Sequence, residues 1–281
     1  MNRISLVGAD EGLRTRLLIL SALALAVFLP TAAHAHDTWL IPDRFEVAPK
    51  ESVALDLTSG MAFPALESGP KRERVESAKC RLAGQTFEIS DISAGPKSLV
   101  FKAELPSAGI AALWVKLPPR SIELKPEQVE EYFEEIDAPA SVRKQWAEMV
   151  PPRWIELYSK HQKTFVRVGT PPAAERSWSD PVGVALEIVP EKDPTALRQG
   201  EEVSVQVLKD GKPFAEFALN ALAAGEAKGE TRKTDAAGRA FFRLNKTGRW
   251  LLRGTDLRKS TRADADWESD FTTLTFEVKP K

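Results

Sequence analysis

Short stretches in which apolar and polar residues alternate constrain the fold of this chain more than any other feature. In 52–58 the apolar residues Val53, Leu55 and Leu57 are separated by polar or small residues, and 202–208 follows the same pattern. A period of two is typical of a strand with one face in a core and the other in water. Turn signals such as Asp-Gly and Gly-Pro separate these stretches at roughly ten-residue intervals, which favours antiparallel β-sandwiches.

The predicted strands form two groups along a chain of 281 residues, which is long enough for two domains. The first group covers 52–58, 78–82, 86–89, 98–105, 110–117 and 164–168, and the second covers 182–189, 202–208, 214–222, 230–234, 240–244, 249–253 and 271–278. About seven strands in about one hundred residues match an immunoglobulin-like domain. We therefore predict a mainly β protein with two immunoglobulin-like antiparallel β-sandwich domains, over residues 36–180 and 181–281.

A helical insert is predicted in the first of these domains, over about residues 126–162. Three sets of residues recur at helical spacing: Val129, Tyr132, Phe133 and Ile136; Val142, Trp146 and Met149; and Trp154, Leu157, Tyr158 and His161. Apolar residues at i, i+3, i+4 and i+7 lie on one face of a helix. Pro126 suits the first turn of the first helix, and Pro151 with Pro152 would end the second.

The beginning of the chain has the features of an export signal. Two arginines precede the apolar run 17–29, which is too short for a comfortable membrane span. Ala33 and Ala35 form the small-x-small pattern that signal peptidases cleave, so we predict a signal peptide over residues 1–35. The exported protein would be periplasmic, with no part embedded in the membrane. A cut after Ala33 is the alternative, and it would shift the new terminus.

Cleavage after Ala35 would make His36 the first residue of the exported protein. Its α-amine and imidazole could together chelate a divalent transition metal, and nitrogen ligands suit cobalt, nickel, copper or zinc. Asp37 and His161 are candidate completing ligands. The alternative is that His36 only precedes a strand anchored by Trp39 and Leu40. His161 would then be a partly buried, hydrogen-bonded residue on the apolar face of its helix.

Composition and motifs exclude several other functions. The net charge is −1 and no basic stripe is present, so a nucleic-acid partner is not expected.

The single cysteine, Cys80, is predicted to be a buried and inert thiol. The acidic group Asp264, Asp266, Glu268 and Asp270 is predicted to lie on a solvated loop. No Ser-His-Asp order, phosphate loop, His-Glu-x-x-His motif or cysteine pair suggests an enzyme.

Several phrases taken together resemble a known family across essentially the whole exported chain. They are His36-Asp-Thr-Trp-Leu-Ile-Pro42, Glu156-Leu-Tyr-Ser-Lys-His-Gln-Lys-Thr164, Val166-Arg-Val-Gly169, Leu186-Glu-Ile-Val-Pro190, Gly211-Lys-Pro213, Thr234-Asp-Ala-Ala-Gly-Arg239, Gly248-Arg-Trp-Leu-Leu252, Asp266-Trp-Glu-Ser269 and Leu274-Thr-Phe276. The family is an exported bacterial domain of unknown function often labelled as the periplasmic component of a cobalt or nickel uptake system.

The resemblance implies a metal-binding accessory protein that passes its ion to a membrane metal transporter. Members often carry a histidine after the Trp-Leu-Leu strand, where this chain has Asp256, and an aromatic residue where it has His161. The resemblance thus implies Asp256 as a weaker second ligand, or none. Two alternatives remain open: a non-enzymatic envelope binding or scaffold module with no metal, anchored by Trp39, Trp178 or Trp267, and a copper enzyme that cleaves polysaccharides oxidatively.

Overall fold

The structure is a computed structural model that describes residues 37–281. Most of this part of the chain consists of β-strands. The strands are β1 Asp37–Pro42, β2 Glu46–Val47, β3 Glu51–Gly60, β4 Ser77–Leu82, β5 Gln85–Glu88, β6 Asp91–Ala94, β7 Leu99–Leu105, β8 Gly109–Leu124, β9 Trp154–Val168, β10 Leu186–Pro190, β11 Glu202–Lys209, β12 Lys212–Pro213, β13 Ala218–Ala223, β14 Glu230–Lys233, β15 Arg239–Arg243, β16 Gly248–Lys259 and β17 Trp267–Val278. The α-helices are α1 Pro126–Glu135 and α2 Ala140–Ala147. The prediction of a mainly β fold is confirmed.

The strands form one large sheet and two small ones. The large sheet has the order β14-β13-β16-β17-β9-β8-β4-β5, with β2 paired to β9. The first small sheet has the order β1-β3-β7-β6, and the second has β10-β11-β12 with β15 also paired to β11. Two sheets packed face to face are the architecture of a β-sandwich.

The two main cores lie on opposite faces of the large sheet. In β8, Ile110 and Ala112 belong to the core under the second small sheet. Ala111 and Leu113, which alternate with them, belong to the core under the first small sheet. Because successive side chains of a strand point to opposite faces, the middle of the large sheet is buried on both sides. This double burial explains why 110–115 is a continuous apolar run.

The two predicted sandwiches share the large sheet. The predicted boundary at residue 180 falls in the connection between β9 and β10, but β9 pairs directly with β17. Residues 37–281 belong to one compact unit. The β9–β17 pair is parallel, so the expectation of purely antiparallel sheets is wrong at this junction. A parallel pair is possible here because a long stretch of chain connects the two strands.

The helical insert is shorter than predicted. It contains α1 and α2, but the third helix predicted over 154–161 is wrong, since these residues lie in β9. In this part of β9 polar residues such as Glu156 take buried positions while Leu157 and Tyr158 are only half-buried, so the apolar residues do not alternate and imitate a helical spacing. Pro126 does occupy the first turn of α1.

The helices cover an aromatic core at one end of the large sheet. The rings of Trp154 and Trp267 stack with centroids 4.6 Å apart and an interplanar angle of 16°. Tyr132 and Phe133 of α1 and Trp146 of α2 meet Trp154 edge-on, with centroids 5.5 to 5.7 Å away. Such edge-to-face contacts add to the free energy of burying the rings. The insert is therefore an integral part of the fold.

Strand β1 is fixed to the large sheet by side chains from β17. Thr273 Oγ1 donates to the carbonyl of Thr38 at 2.7 Å, and Thr275 Oγ1 donates to the carbonyl of Leu40 at 2.5 Å. These bonds satisfy carbonyl groups on the edge of the first small sheet. The first described strand of the chain is thereby held against the last one.

Candidate functional site

The predicted metal ligands that the structure describes lie on two different faces of the large sheet. Asp37 begins β1, which contacts Thr273 through the neighbouring Thr38. His161 pairs in register with Thr272, the residue before Thr273, so it points to the opposite face. Asp256 also lies on that face, where it pairs in register with Asp270 of β17. His36 lies outside the described residues.

Asp37 is bound to a cation at the start of β1. Its carboxylate accepts a hydrogen bond from the guanidinium of Arg253 on β16. Arg253 Nε also donates to the side-chain oxygen of Asn220 at 3.2 Å, which orients the guanidinium. The side chains of Asp37 and Arg253 are 21% and 26% exposed, so the pair is only partly screened by water. Asp37 therefore already has a partner of opposite charge.

A second cation, Lys160 of β9, lies on the same face as Asp37. Its Nζ donates to Thr38 Oγ1 at 3.0 Å and lies 5.6 Å and 5.1 Å from the ring centroids of Tyr158 and Phe271. Burial lowers the pKa of Lys160 to about 8, although the carboxylate of Asp37 acts in the opposite direction. Two cations, Arg253 and Lys160, thus lie near the carboxylate of Asp37 at the start of β1.

Asp256 belongs to a group of ion pairs on the opposite face. Lys209 of β11 lies 3.0 Å from Asp256 Oδ2 and also binds Asp270, while Arg258 binds both carboxylates at 2.9 Å. Burial acts to raise the pKa of Asp270, but hydrogen bonds from His161 and Lys209 outweigh it and hold that pKa well below its ordinary value. Oδ2 of Asp256 is therefore engaged by two cations, which would compete with a metal ion.

The prediction that Glu268 and Asp270 lie on a solvated loop is wrong. Both residues are in β17, and the side chain of Asp270 is only 8% exposed. Asp266 is held by Arg153 at 2.7 Å, while Asp264 remains exposed. The prediction failed because these carboxylates form ion pairs, and an ion pair allows a charged side chain to lie at the edge of a core.

His161 is enclosed rather than presented to solvent. Its side chain is 2% exposed, and Nε2 lies 3.5 Å from both Asp270 Oδ1 and Ser159 Oγ. Among residues 37–281, Nδ1 has no hydrogen-bond partner, and His161 lines a cavity of about 10 Å³ together with residues such as Trp114 and Thr272. A space of this size fits one water molecule. A metal ion from solution has no open route to this imidazole.

Two buried carboxylates that sequence reasoning missed hold the fold around this region. Glu156 accepts hydrogen bonds from Tyr132 Oη at 2.7 Å, Trp154 Nε1 at 2.9 Å and Ser269 Oγ. Burial raises the pKa of Glu156, and burial likewise raises that of Tyr132. A charged residue between the apolar residues Ile155 and Leu157 was the available signal. This network ties α1 to the large sheet.

The other missed carboxylate is Glu187 of β10. It binds Lys163 Nζ at 2.6 Å and accepts hydrogen bonds from the backbone amides of Val182 and Gly183. Burial lowers the pKa of Lys163, while the attraction of Glu187 acts to raise it. This pair fastens the connection between β9 and β10 to the large sheet.

The single cysteine and the three tryptophans suggested as surface anchors are all buried. Cys80 is fully buried, as predicted, and burial raises the pKa of its thiol to about 12. Trp39, Trp178 and Trp267 are 1%, 5% and 0% exposed, so none is available as a surface anchor.

Between residues 37 and 281, no three His, Cys, Asp or Glu side chains form a group that could hold a metal ion. None of the helices in this same part of the chain is long and apolar enough to cross a membrane.

A family model matches residues 33–255, described as a domain of unknown function, DUF4198. The chain belongs to this family. The match covers most of the strands described above, including β1 and the large sheet as far as β16. No curated protein matches the chain.

Similar solved structures include a domain of intimin, an adhesin and a glucan-utilisation protein. The D0-D1 domain of intimin is 14% identical, with 85% of this chain and 97% of that chain covered at a TM-score of 0.22. The adhesin InvE of Yersinia pseudotuberculosis is 11% identical, with 84% and 58% covered at a TM-score of 0.24. A glucan-utilisation protein of Bacteroides ovatus, SGBP-B in complex with a mixed-linkage heptasaccharide, is 8% identical, with 85% and 46% covered at 0.22. These likenesses carry no argument about function.

Proposed function

We propose that the protein is an exported, non-enzymatic periplasmic accessory that captures a divalent transition metal at the amine and imidazole of a mature amino-terminal His36. The ion is cargo for a membrane uptake system of the cobalt or nickel type. The small-x-small pattern Ala33-His34-Ala35 supports cleavage directly before His36. Nitrogen ligands of this kind suit cobalt, nickel, copper and zinc.

The observation that carries the proposal is the fixation of β1 from its first described residues. Trp39 and Leu40 are buried, and Thr38 is held by Thr273, by Lys160 and by Ser59 Oγ at 2.7 Å. A ligand directly before such a strand would be presented from a rigid base. Pre-organisation of this kind reduces the entropy lost when a metal binds.

The proposed ligand set is smaller than the sequence suggested. Asp37 is adjacent to His36 but neutralised by Arg253, while His161 and Asp256 belong to the other face of the large sheet. An ion held mainly by His36 keeps open coordination positions that a transporter's ligands can enter. The positive charge of Arg253 and Lys160 also weakens the hold on a cation, which suits transfer rather than storage.

The experiment compares the metal content of the exported protein with that of His36→Ala. Both proteins are exposed to equal concentrations of cobalt, nickel, copper and zinc and washed before elemental analysis. We expect the variant to lose the bound metal. His161→Gln is the matched control, and it should keep the native metal content because His161 is enclosed on the opposite face.

Equal metal content in the native protein and His36→Ala would overturn the proposal. The remaining candidate would be an envelope binding module with no metal. Arg253 and Lys160 at the start of β1 favour that alternative, since two cations beside one carboxylate disfavour an added cation.

A further inference from the structure

A lysine and a glutamate are buried together where the second small sheet packs against the large sheet. The side chains of Lys163 on β9 and Glu187 on β10 are 7% and 2% exposed, and Nζ of the lysine lies 2.6 Å from Oε1 of the glutamate. β9 belongs to the large sheet and β10 to the second small sheet, so these side chains meet between two sheets. The desolvation cost of two buried charges can exceed their mutual attraction. A change that removes both charges would relieve this cost.

The surroundings of the pair favour a neutral amine. Nζ of Lys163 lies 5.8 Å from the centroid of the Phe165 ring, and Trp114 of β8, which pairs in register with Lys163, is 5% exposed. Burial lowers the pKa of Lys163, although the carboxylate of Glu187 acts in the opposite direction. Transfer of one proton from the ammonium to the carboxylate gives a neutral amine and a neutral carboxyl group. The neutral amine is the nucleophilic form of lysine.

Two backbone amides are directed at the carboxyl group of Glu187. The amide of Val182 donates to Oε1 at 2.8 Å and to Oε2 at 3.0 Å, and the amide of Gly183 donates to Oε2 at 3.0 Å. Donors that are in place before a reaction stabilise the negative charge that develops on a carboxyl oxygen when a nucleophile adds to its carbon. Glu187 is therefore held in an environment that suits attack by an amine.

A small cavity adjoins both side chains. Its volume is about 10 Å³, and Lys163, Glu187 and His161 all contribute to its wall. A space of this size holds one water molecule. Among residues 37–281, Nδ1 of His161 is buried without a hydrogen-bond partner. A water molecule released from the pair would have room in this cavity, and the imidazole offers a polar group in its wall.

We propose that Lys163 and Glu187 condense to an intramolecular amide, an isopeptide bond that joins β9 to β10. Nζ attacks Cδ of Glu187, a new C–N bond forms, and one C–O bond breaks. The departing oxygen takes two of the three ammonium protons and leaves as one water molecule, while Nζ keeps the third. No oxidant, reductant or co-reactant is consumed, and the fold supplies the high effective concentration of the two groups.

The bond would tie the two sheets together covalently in a chain that has a single cysteine and so can form no internal disulfide. A cross-link of this kind restricts the unfolded chain as a disulfide does. The inference concerns the β scaffold and does not depend on metal binding at His36.

A second lysine–carboxylate pair between the same two sheets provides the matched control. Lys209 of β11 binds Asp270 of β17, but the lysine is 20% exposed and Arg258 also binds that carboxylate at 2.9 Å. The pKa of Asp270 is held well below its ordinary value, so this carboxylate stays ionised and is a poor acceptor for an amine. We expect Lys209 and Asp270 to remain an ion pair.

The test is mass spectrometry of the full-length exported protein, intact and after trypsin digestion. The intact mass should be lower, by the mass of one water molecule, than the mass calculated for the same termini. Trypsin should release residues 161–167 joined to residues 177–192, because an acylated Lys163 is no longer cleaved. Lys163→Arg keeps the positive charge but cannot form the amide, so it should have its full calculated mass. Lys209→Arg should keep both the lower mass and the joined peptides.

The native protein alone decides the question, whether or not Lys163→Arg folds. An intact mass equal to the calculated one, or separate tryptic peptides 161–163 and 164–167 in place of the joined species, would overturn the proposal. Loss of the mass difference in Lys209→Arg, with the difference retained in Lys163→Arg, would also overturn it, since the cross-link would then lie at the other pair.

Discussion

Replacing Tyr132 with phenylalanine should destabilise the protein by removing one donor from a buried carboxylate. Tyr132 is 4% exposed, and its hydroxyl donates to Glu156 Oε1 at 2.7 Å. Glu156 itself is 1% exposed, so water cannot replace the lost hydrogen bond. Hydrogen bonds to charged groups contribute roughly 1.5 to 3 kcal/mol, so we expect a loss of about 2 kcal/mol in the free energy of unfolding.

Urea unfolding followed by tryptophan fluorescence measures this loss directly. With an m-value of about 3 kcal/mol per molar, the midpoint should fall by about 0.7 M. The stacked pair Trp154 and Trp267 reports on the same core. Tyr158→Phe is the matched control, because Tyr158 is half-buried and its hydroxyl makes no hydrogen bond to the residues that the structure describes. A loss below about 0.5 kcal/mol in Tyr132→Phe, or an equal loss in the control, would refute the reasoning.

Three further predictions concern other buried groups. The lowered pKa of Asp270 means that its ionised form stabilises the fold at neutral pH and that this stabilisation is lost as the pH falls below the ordinary value of 3.8. Asp270→Asn should therefore have a lower urea midpoint than the native protein at pH 6, and the difference should shrink at pH 2; a constant difference would contradict the assignment. Gly238→Ala should lower the midpoint of thermal unfolding more than Gly211→Ala does. Both glycines have a positive φ, but only at Gly238 would the added Cβ contact the backbone, 2.6 Å from the carbonyl oxygen of Val207. Cys80 should resist a thiol reagent in the folded protein and react once urea unfolds it, and rapid labelling at pH 8 without denaturant would disprove its burial.

Strands whose apolar residues alternate or form a continuous run could be predicted from the sequence, whereas the first half of β9 could not. β7 alternates between buried and more exposed side chains, and its predicted extent of 98–105 is close to the observed Leu99–Leu105. Over 154–161 of β9, polar residues such as Glu156 are buried while Leu157 and Tyr158 are only half-buried, so the sequence does not show which face lies inward. Burial by distant parts of the chain decided the structure of β9, and no local pattern contains that information.

The candidate site was partly predictable for a similar reason. Asp37 could be placed at the start of a strand from the residues that follow it. The separation of Asp37 from His161 and Asp256 depends on the parallel pairing of β9 with β17, which joins segments far apart in sequence. Arg253, which neutralises Asp37, also comes from a distant strand. The ion pair between Asp37 and Arg253 therefore could not be predicted from the residues near either one in the sequence.

The measurement that tests the central claim most directly is the intact mass and amino-terminal sequence of the protein recovered from the periplasm. The account predicts a single species whose first residue is His36, with a free α-amine. A mature protein that begins at any other residue, or one whose terminal amine is blocked, would contradict the claim that His36 binds metal through its amine and imidazole.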